Sequence, residues 1–144
     1  MSKWLLIILI VLITACEDDQ QDRQDPGACE PILEDPGTAM LSDPFEITGA
    51  EIIDDCLMIT VRYSGGCKPH EFRLTCTLLP DFSSYSGILK LSHNANGDHC
   101  KALCTGNVYF DLTGLQESGL NLISLILTEN AEDSDYQLLI KYYY

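Results

Sequence analysis

Seven cysteines and three histidines are the residues in this 144-residue chain with the most chemistry to offer. Imidazole nitrogens and thiolates are the usual soft ligands of zinc and copper, so His70, His93 and His99, with Asp98 beside the last, form one candidate metal set. Their spacing matches no diagnostic ligand motif, and histidines at strand ends commonly hydrogen-bond a backbone carbonyl instead. Cys100-Lys-Ala-Leu-Cys104 offers a redox reading, but three intervening residues depart from the two-residue spacing of dithiol redox motifs. Asn94, Asn96, Gly97 and Asp98 sketch a calcium loop without its bidentate glutamate, and the acidic stretch 129–135 lacks the glycine for the tight turn. Nothing activates a nucleophile: there is no Gly-x-Ser-x-Gly elbow and no phosphate-cradling glycine loop, so His70 and Glu71 stand without a partner for acyl chemistry.

The N-terminus decides how the thiols are to be read. Lys3 is followed by ten apolar residues, Trp4 to Ile13, and then by Thr14, Ala15 and Cys16. Ten apolar residues are too few to cross a bilayer, which takes about 20, and match the hydrophobic region of a signal peptide. Ile13-Thr14-Ala15-Cys16 resembles the bacterial lipobox, in which an aliphatic and two small residues precede a cysteine. The resemblance implies that residues 1–15 are removed and that Cys16 carries a diacylglyceryl thioether and an N-acyl chain. Two or more acyl chains give lasting membrane attachment where a single chain does not. No other cofactor is expected.

Removing Cys16 from the count leaves six cysteines bound for an oxidising compartment, an even number that favours three disulfides. Sequence alone allows 15 pairings for six cysteines. Strand order favours Cys29–Cys56, Cys67–Cys100 and Cys76–Cys104, because Cys67 begins and Cys76 lies within one strand segment, while Cys100 and Cys104 flank another.

Charge narrows the partners. The chain carries 22 acidic against 8 basic residues, a formal net charge of −14, with no basic cluster. Nucleic-acid binding draws its affinity from cations that neutralise phosphate, so it is excluded, and so is electrostatic docking on anionic lipid. The expected partners are the membrane, through the lipid, and an envelope protein or glycan, for which Tyr136 and Tyr142–Tyr144 offer an aromatic surface or else a buried edge strand. Residues 17–27 are polar and acidic and read as a tether. An acidic run directly after a lipidated cysteine is similar to the surface-export signal of some Gram-negative bacteria, so the expected address is the bacterial cell envelope, at the outer membrane, facing either the periplasm or the outside.

These groups must be positioned by strands. Period-two alternation recurs at 45–48, 50–53, 56–63, 71–78, 88–93, 108–113, 121–128 and 136–143, with one helical turn near Leu115 to Gly119. Seven or eight short strands separated by Gly, Asn and Asp predict an all-β antiparallel sandwich of immunoglobulin-like type with disulfides, or alternatively a small β-barrel. The expected organisation is leader 1–15, lipidated N-terminus and flexible tether 16–37, and β-sandwich domain 38–144.

Tyr63-Ser-Gly-Gly-Cys67-Lys-Pro-His70-Glu-Phe72, Leu91-Ser-His93 and Phe110-Asp-Leu112 together resemble a family of small, uncharacterised bacterial lipoproteins that share Gly-Gly-Cys-x-x-His-x-Phe. The resemblance implies a common fold and export and carries no activity with it. The function expected from all of this is a membrane-anchored, non-catalytic binding or structural module of the envelope; the alternative is a metal-binding or redox-active protein built on His70, His93 and His99.

Overall fold

A computed structural model describes residues 28–37, 41–80, 85–130 and 134–144, so the leader, Cys16 and residues 17–27 lie outside the described residues. Among the described residues nine strands form two stacked sheets: β1 (Glu30–Pro31), β2 (Leu33–Glu34), β3 (Phe45–Ile53), β4 (Cys56–Gly65), β5 (Glu71–Pro80), β6 (Tyr85–Asn94), β7 (Ala102–Asp111), β8 (Leu122–Glu129) and β9 (Gln137–Tyr143). One sheet has the order β1-β7-β4-β3, the other β2-β5-β6-β8-β9, and they do not close into a barrel. The fold is therefore an all-β sandwich.

The core comes from alternate residues of the inner strands. Leu57, Ile59 and Val61 on β4 face Leu89 and Leu91 on β6 and Ile123, Leu125 and Leu127 on β8, all fully buried. The two segments expected at 45–48 and 50–53 are one strand, because a bulge between Ile47 and Gly49 restores the inward phase: Ile47 precedes it and Ala50 and Ile52 follow it on the core side. The Glu129 carboxylate accepts the Ile47 N–H at that bulge, at 2.5 Å, replacing a ladder partner.

Three features differ from the sequence expectation. β6 and β8 run parallel, whereas immunoglobulin-type sheets are antiparallel; the chain leaves β6 for β7 in the other sheet before returning as β8. The fold also begins earlier than residue 38: β1 pairs with the end of β7 and β2 with the middle of β5, so Glu30 to Glu34 step from one sheet to the other and belong to the sandwich. Two-residue strands carry too little alternation to be read from sequence. The single helical turn lies at Thr113–Leu115, slightly before the place expected.

Among the described residues two disulfides are present, Cys29–Cys56 and Cys67–Cys100. The expected third, Cys76–Cys104, is not: both thiols are free. Cys76 sits on the inner face of β5 and Cys104 opposite Tyr63 on β7, so the two belong to different sheets. Burial pushes the Cys76 thiol up to about 11. A thiol titration of the oxidised chain should find Cys104 reacting in the native state and Cys76 only after denaturation. A native chain with neither thiol would contradict this pairing.

Candidate functional site

The chain crosses between the sheets twice at the same end of the sandwich. Residues 66–70 lead from β4 to β5 and residues 95–101 from β6 to β7, and the Cys67–Cys100 disulfide ties the two crossings together. Gly66 turns the first with φ +103°, and Asn96 and Gly97 turn the second in the left-handed region.

Asp98 is the hub. Its Oδ1 accepts the Cys100 N–H at 2.8 Å, and its Oδ2 accepts the N–H groups of Cys67 (2.8 Å) and Lys68 (3.0 Å) and lies 3.2 Å from His70 Nε2. The backbone donor of Cys100 first, then those of Cys67 and Lys68 with His70, hold this carboxyl well below the usual carboxylate range. The Asp98 and His70 side chains are 1% and 2% exposed.

From His70 the chain of hydrogen bonds runs inward. His70 Nδ1 is 2.7 Å from His93 Nε2, and His93 faces the core from β6, stacked on Phe72 at 4.5 Å and flanked by Tyr63 and Phe45. An ionised Asp98 requires a proton on His70 Nε2; with a neutral His70 ring its Nδ1 accepts, and the donor to it is His93 Nε2–H. His93 Nδ1 is then left as a buried lone pair, and it has no hydrogen-bond partner. Burial first, and then His70, lower the His93 pKa; the carbonyls of Asp43 and Pro44 and the Asp43 carboxylate act in the opposite sense. The backbone of His93 is held from the same side: its N–H donates to Ser42 Oγ (3.1 Å), its carbonyl accepts from the Asp43 N–H (2.8 Å), and Asp43 Oδ2 accepts the Ala95 N–H (2.7 Å).

Gly65 makes room for this arrangement. A Cβ there would run into the His70 ring, 2.5 Å from Cε1, and lie 3.1 Å from Asp98 Oδ2.

The candidate metal ligands of the sequence are thus brought together only in part. His70, His93 and Asp98 form a line, with the two His70 nitrogens pointing to opposite neighbours, rather than a sphere around one position; His99 is exposed and outside it. Among the described residues the group of three within common reach of one ion is Cys67, Asp98 and Cys100, and its two sulfurs are bonded to each other. The 94–98 loop does not offer a calcium site either, because Lys68 Nζ donates to the carbonyls of Asn96 (3.1 Å) and Gly97 (2.9 Å) and fills the cation's place. Of the C-terminal tyrosines only Tyr143 is well exposed; Tyr142 is buried, with its hydroxyl, pushed up to about 12 by burial and Asp55, donating to Asp55.

Beside the histidines lies a cleft of about 520 Å³ between β7 and β5, lined by Val61, Tyr63, His70, Phe72, Gly106 and Val108 among others. Sequence reading missed this cleft, Gly65 and the Ser42–Asp43 brace. Only Gly65-Gly66 carried a signal, as a pair of glycines in front of a histidine.

No family model matches the chain, and no curated protein matches it. Solved structures share its fold. A protein described as toxin-related from Parabacteroides distasonis superposes with a TM-score of 0.61 at 22% identity over 80% of this chain and 61% of that one. A NigD-like immunity protein from Bacteroides caccae gives 0.62 at 15% identity over 80% and 63%, and a Bacteroides vulgatus protein of unknown function gives 0.55 at 19% over 81% and 56%. The chain therefore spans less than two thirds of each of these proteins, and at such identities the likeness is one of fold.

The pH dependence follows from the two lowered groups. The unfolded chain binds a proton at His93 more readily than the folded one, so the corresponding stability is complete above the ordinary value of 6.5 and is lost as pH falls from there through the folded value. Asp98 contributes in the same direction lower down, with stability complete above 3.8 and lost below it. Denaturant unfolding across pH 8 to 3 should show both falls, with the upper one diminished in His93→Phe; a flat profile between pH 7 and 5 would contradict it. Gly65→Ala should destabilise by about 1–3 kcal/mol through overpacking against His70, read as a lower denaturation midpoint at unchanged slope.

Proposed function

We propose that this chain is a lipid-anchored protein of the bacterial cell envelope whose β-sandwich serves as a non-catalytic binding module. The observation that carries the reading is the closed Asp98–His70–His93 chain. Within that chain each polar atom, except the deeply buried His93 Nδ1, is engaged by another group of the protein itself. A carboxylate and two imidazoles used in this way bind the two sheet crossings together. The cleft beside them is open to a ligand.

The anchor rests on the leader and the Ile13-Thr14-Ala15-Cys16 motif. An acidic tether after the acylated residue would hold the module away from an anionic surface, at the outer membrane and on either of its faces. The likeness in fold to an immunity protein and to a toxin-related protein adds to a recognition role.

Two measurements test the proposal. Radiolabelled palmitate should enter the wild-type chain and not Cys16→Ser, and the mature N-terminus should be acylated residue 16; an unlabelled chain with a free N-terminus would overturn the anchor. Calorimetric titration of metal-stripped protein with zinc and copper should show no binding tighter than millimolar. Micromolar binding lost in His70→Ala and His93→Ala would replace the binding module with the metal-dependent alternative.

A further inference from the structure

Among the described residues no strand pairs with the outer edge of β7 over the cleft along Leu103–Asn107. Leu112 N–H donates to the Asp55 carbonyl at 2.8 Å, and the uninterrupted register Leu57↔Phe110 to Gly65↔Ala102 carries that phase along the strand. Even-numbered residues of β7 therefore direct their N–H and C=O groups to β4, and Leu103, Thr105 and Asn107 direct theirs away from it. β1 takes up this outer edge only at Phe110 and Asp111.

Cys29, the described residue just before β1, does not continue along it. β1 and β4 flank β7, which places them about 9.5 Å apart. Yet Cys29 Cα stands 6.1 Å from Cys56 Cα on β4, so the disulfide draws the residue before β1 out of the line of that strand.

Beneath the same edge the inward position is empty. Gly106 faces the space between the sheets, and a Cβ built on it would meet nothing within 4 Å, although Val61, Tyr63, His70 and Phe72 line the cleft around it. The site thus has a row of outward backbone donors and acceptors with an apolar recess at its centre. Its rim carries Glu30, Glu71 and Arg73, the last two 3.5 Å apart, on a chain of net charge −14.

We infer that β7 binds an extended, cationic segment of a partner polypeptide by strand addition along Leu103–Asn107, in line with β1, with an apolar side chain of the segment seated opposite Gly106. This deepens the binding-module reading and rests on it. Main-chain hydrogen bonds supply affinity in such a mode, the recess selects the side chain, and charge speeds the encounter. Edge strands left open in this way are otherwise sites of uncontrolled pairing.

The test uses the isotope-labelled chain from residue 16 onward as Cys16→Ser, which retains every strand and both disulfides. The probe is the peptide Lys-Thr-Val-Thr-Phe-Thr-Val-Thr-Lys, with a control in which glutamate replaces both lysines. The expected result is that the lysine peptide shifts the amide resonances of Leu103, Thr105 and Asn107 and slows their exchange, while the glutamate peptide binds several-fold more weakly. Gly106→Leu, which fills the recess from within, and Thr105→Pro, which removes an outward N–H at an edge where proline is tolerated, should each weaken binding at least ~10-fold with the rest of the spectrum unchanged. The inference is overturned if neither peptide perturbs β7 at millimolar concentration, or if both variants bind like the wild type. It is equally overturned if the β7 resonances shift with protein concentration alone, which makes the occupant a second copy, or on deletion of residues 17–27, which makes it the tether. A partner crosslinked in envelopes equally by wild type and Gly106→Leu would leave the binding module standing and remove this site from it.

Discussion

The Asp98 carboxylate, collecting three backbone N–H groups and an imidazole behind a disulfide, is the constraint on which this end of the molecule depends. Two crossings between sheets place many backbone polar groups away from any ladder, and each left without a partner in a buried setting would cost about 1–3 kcal/mol. One ionised side chain satisfies both crossings at once. His70 extends that hub into the core, and His93 carries it to the aromatic layer of Phe45, Tyr63 and Phe72. The sandwich thereby keeps its end closed with polar groups rather than with apolar packing.

Under the proposed function, residue types that suggest catalysis perform structural work. An aspartate that orients a histidine is half of an acid–base machine, but the machine needs an acceptor that reaches a substrate. Here the second nitrogen of His70 meets another imidazole, whose far nitrogen is buried. What the described residues leave open lies beside the histidines, at the β7 edge, and consists of backbone groups and an apolar recess.

Much of the fold was legible in the chain. The alternation of Leu57, Ile59 and Val61, and of Leu125 and Leu127, announced inner strands, and the glycines and asparagines marked the turns. What stayed hidden depends on long-range geometry. The parallel pairing of β6 with β8 is set by which sheet β7 joins, and local periodicity is blind to that. The pairing Cys76–Cys104 followed the order of segments along the chain, but β5 and β7 belong to different sheets, which separates the two thiols. At the site, the histidines and Asp98 could be singled out by type, whereas their linear order could not, because it follows from the absence of a side chain at Gly65 and from the amides of a loop far away in sequence.

Asp98, His70 and His93 form one closed hydrogen-bonded chain. The side-chain nitrogen resonances of the histidines, recorded at pH 7.5, test it most directly. The structure predicts protonated Nε2 and unprotonated Nδ1 on both His70 and His93, with a coupling across the bond between them and slow exchange of both protons with water. Protons on His70 Nδ1 and not Nε2, or two rings that exchange rapidly and titrate independently, would contradict it.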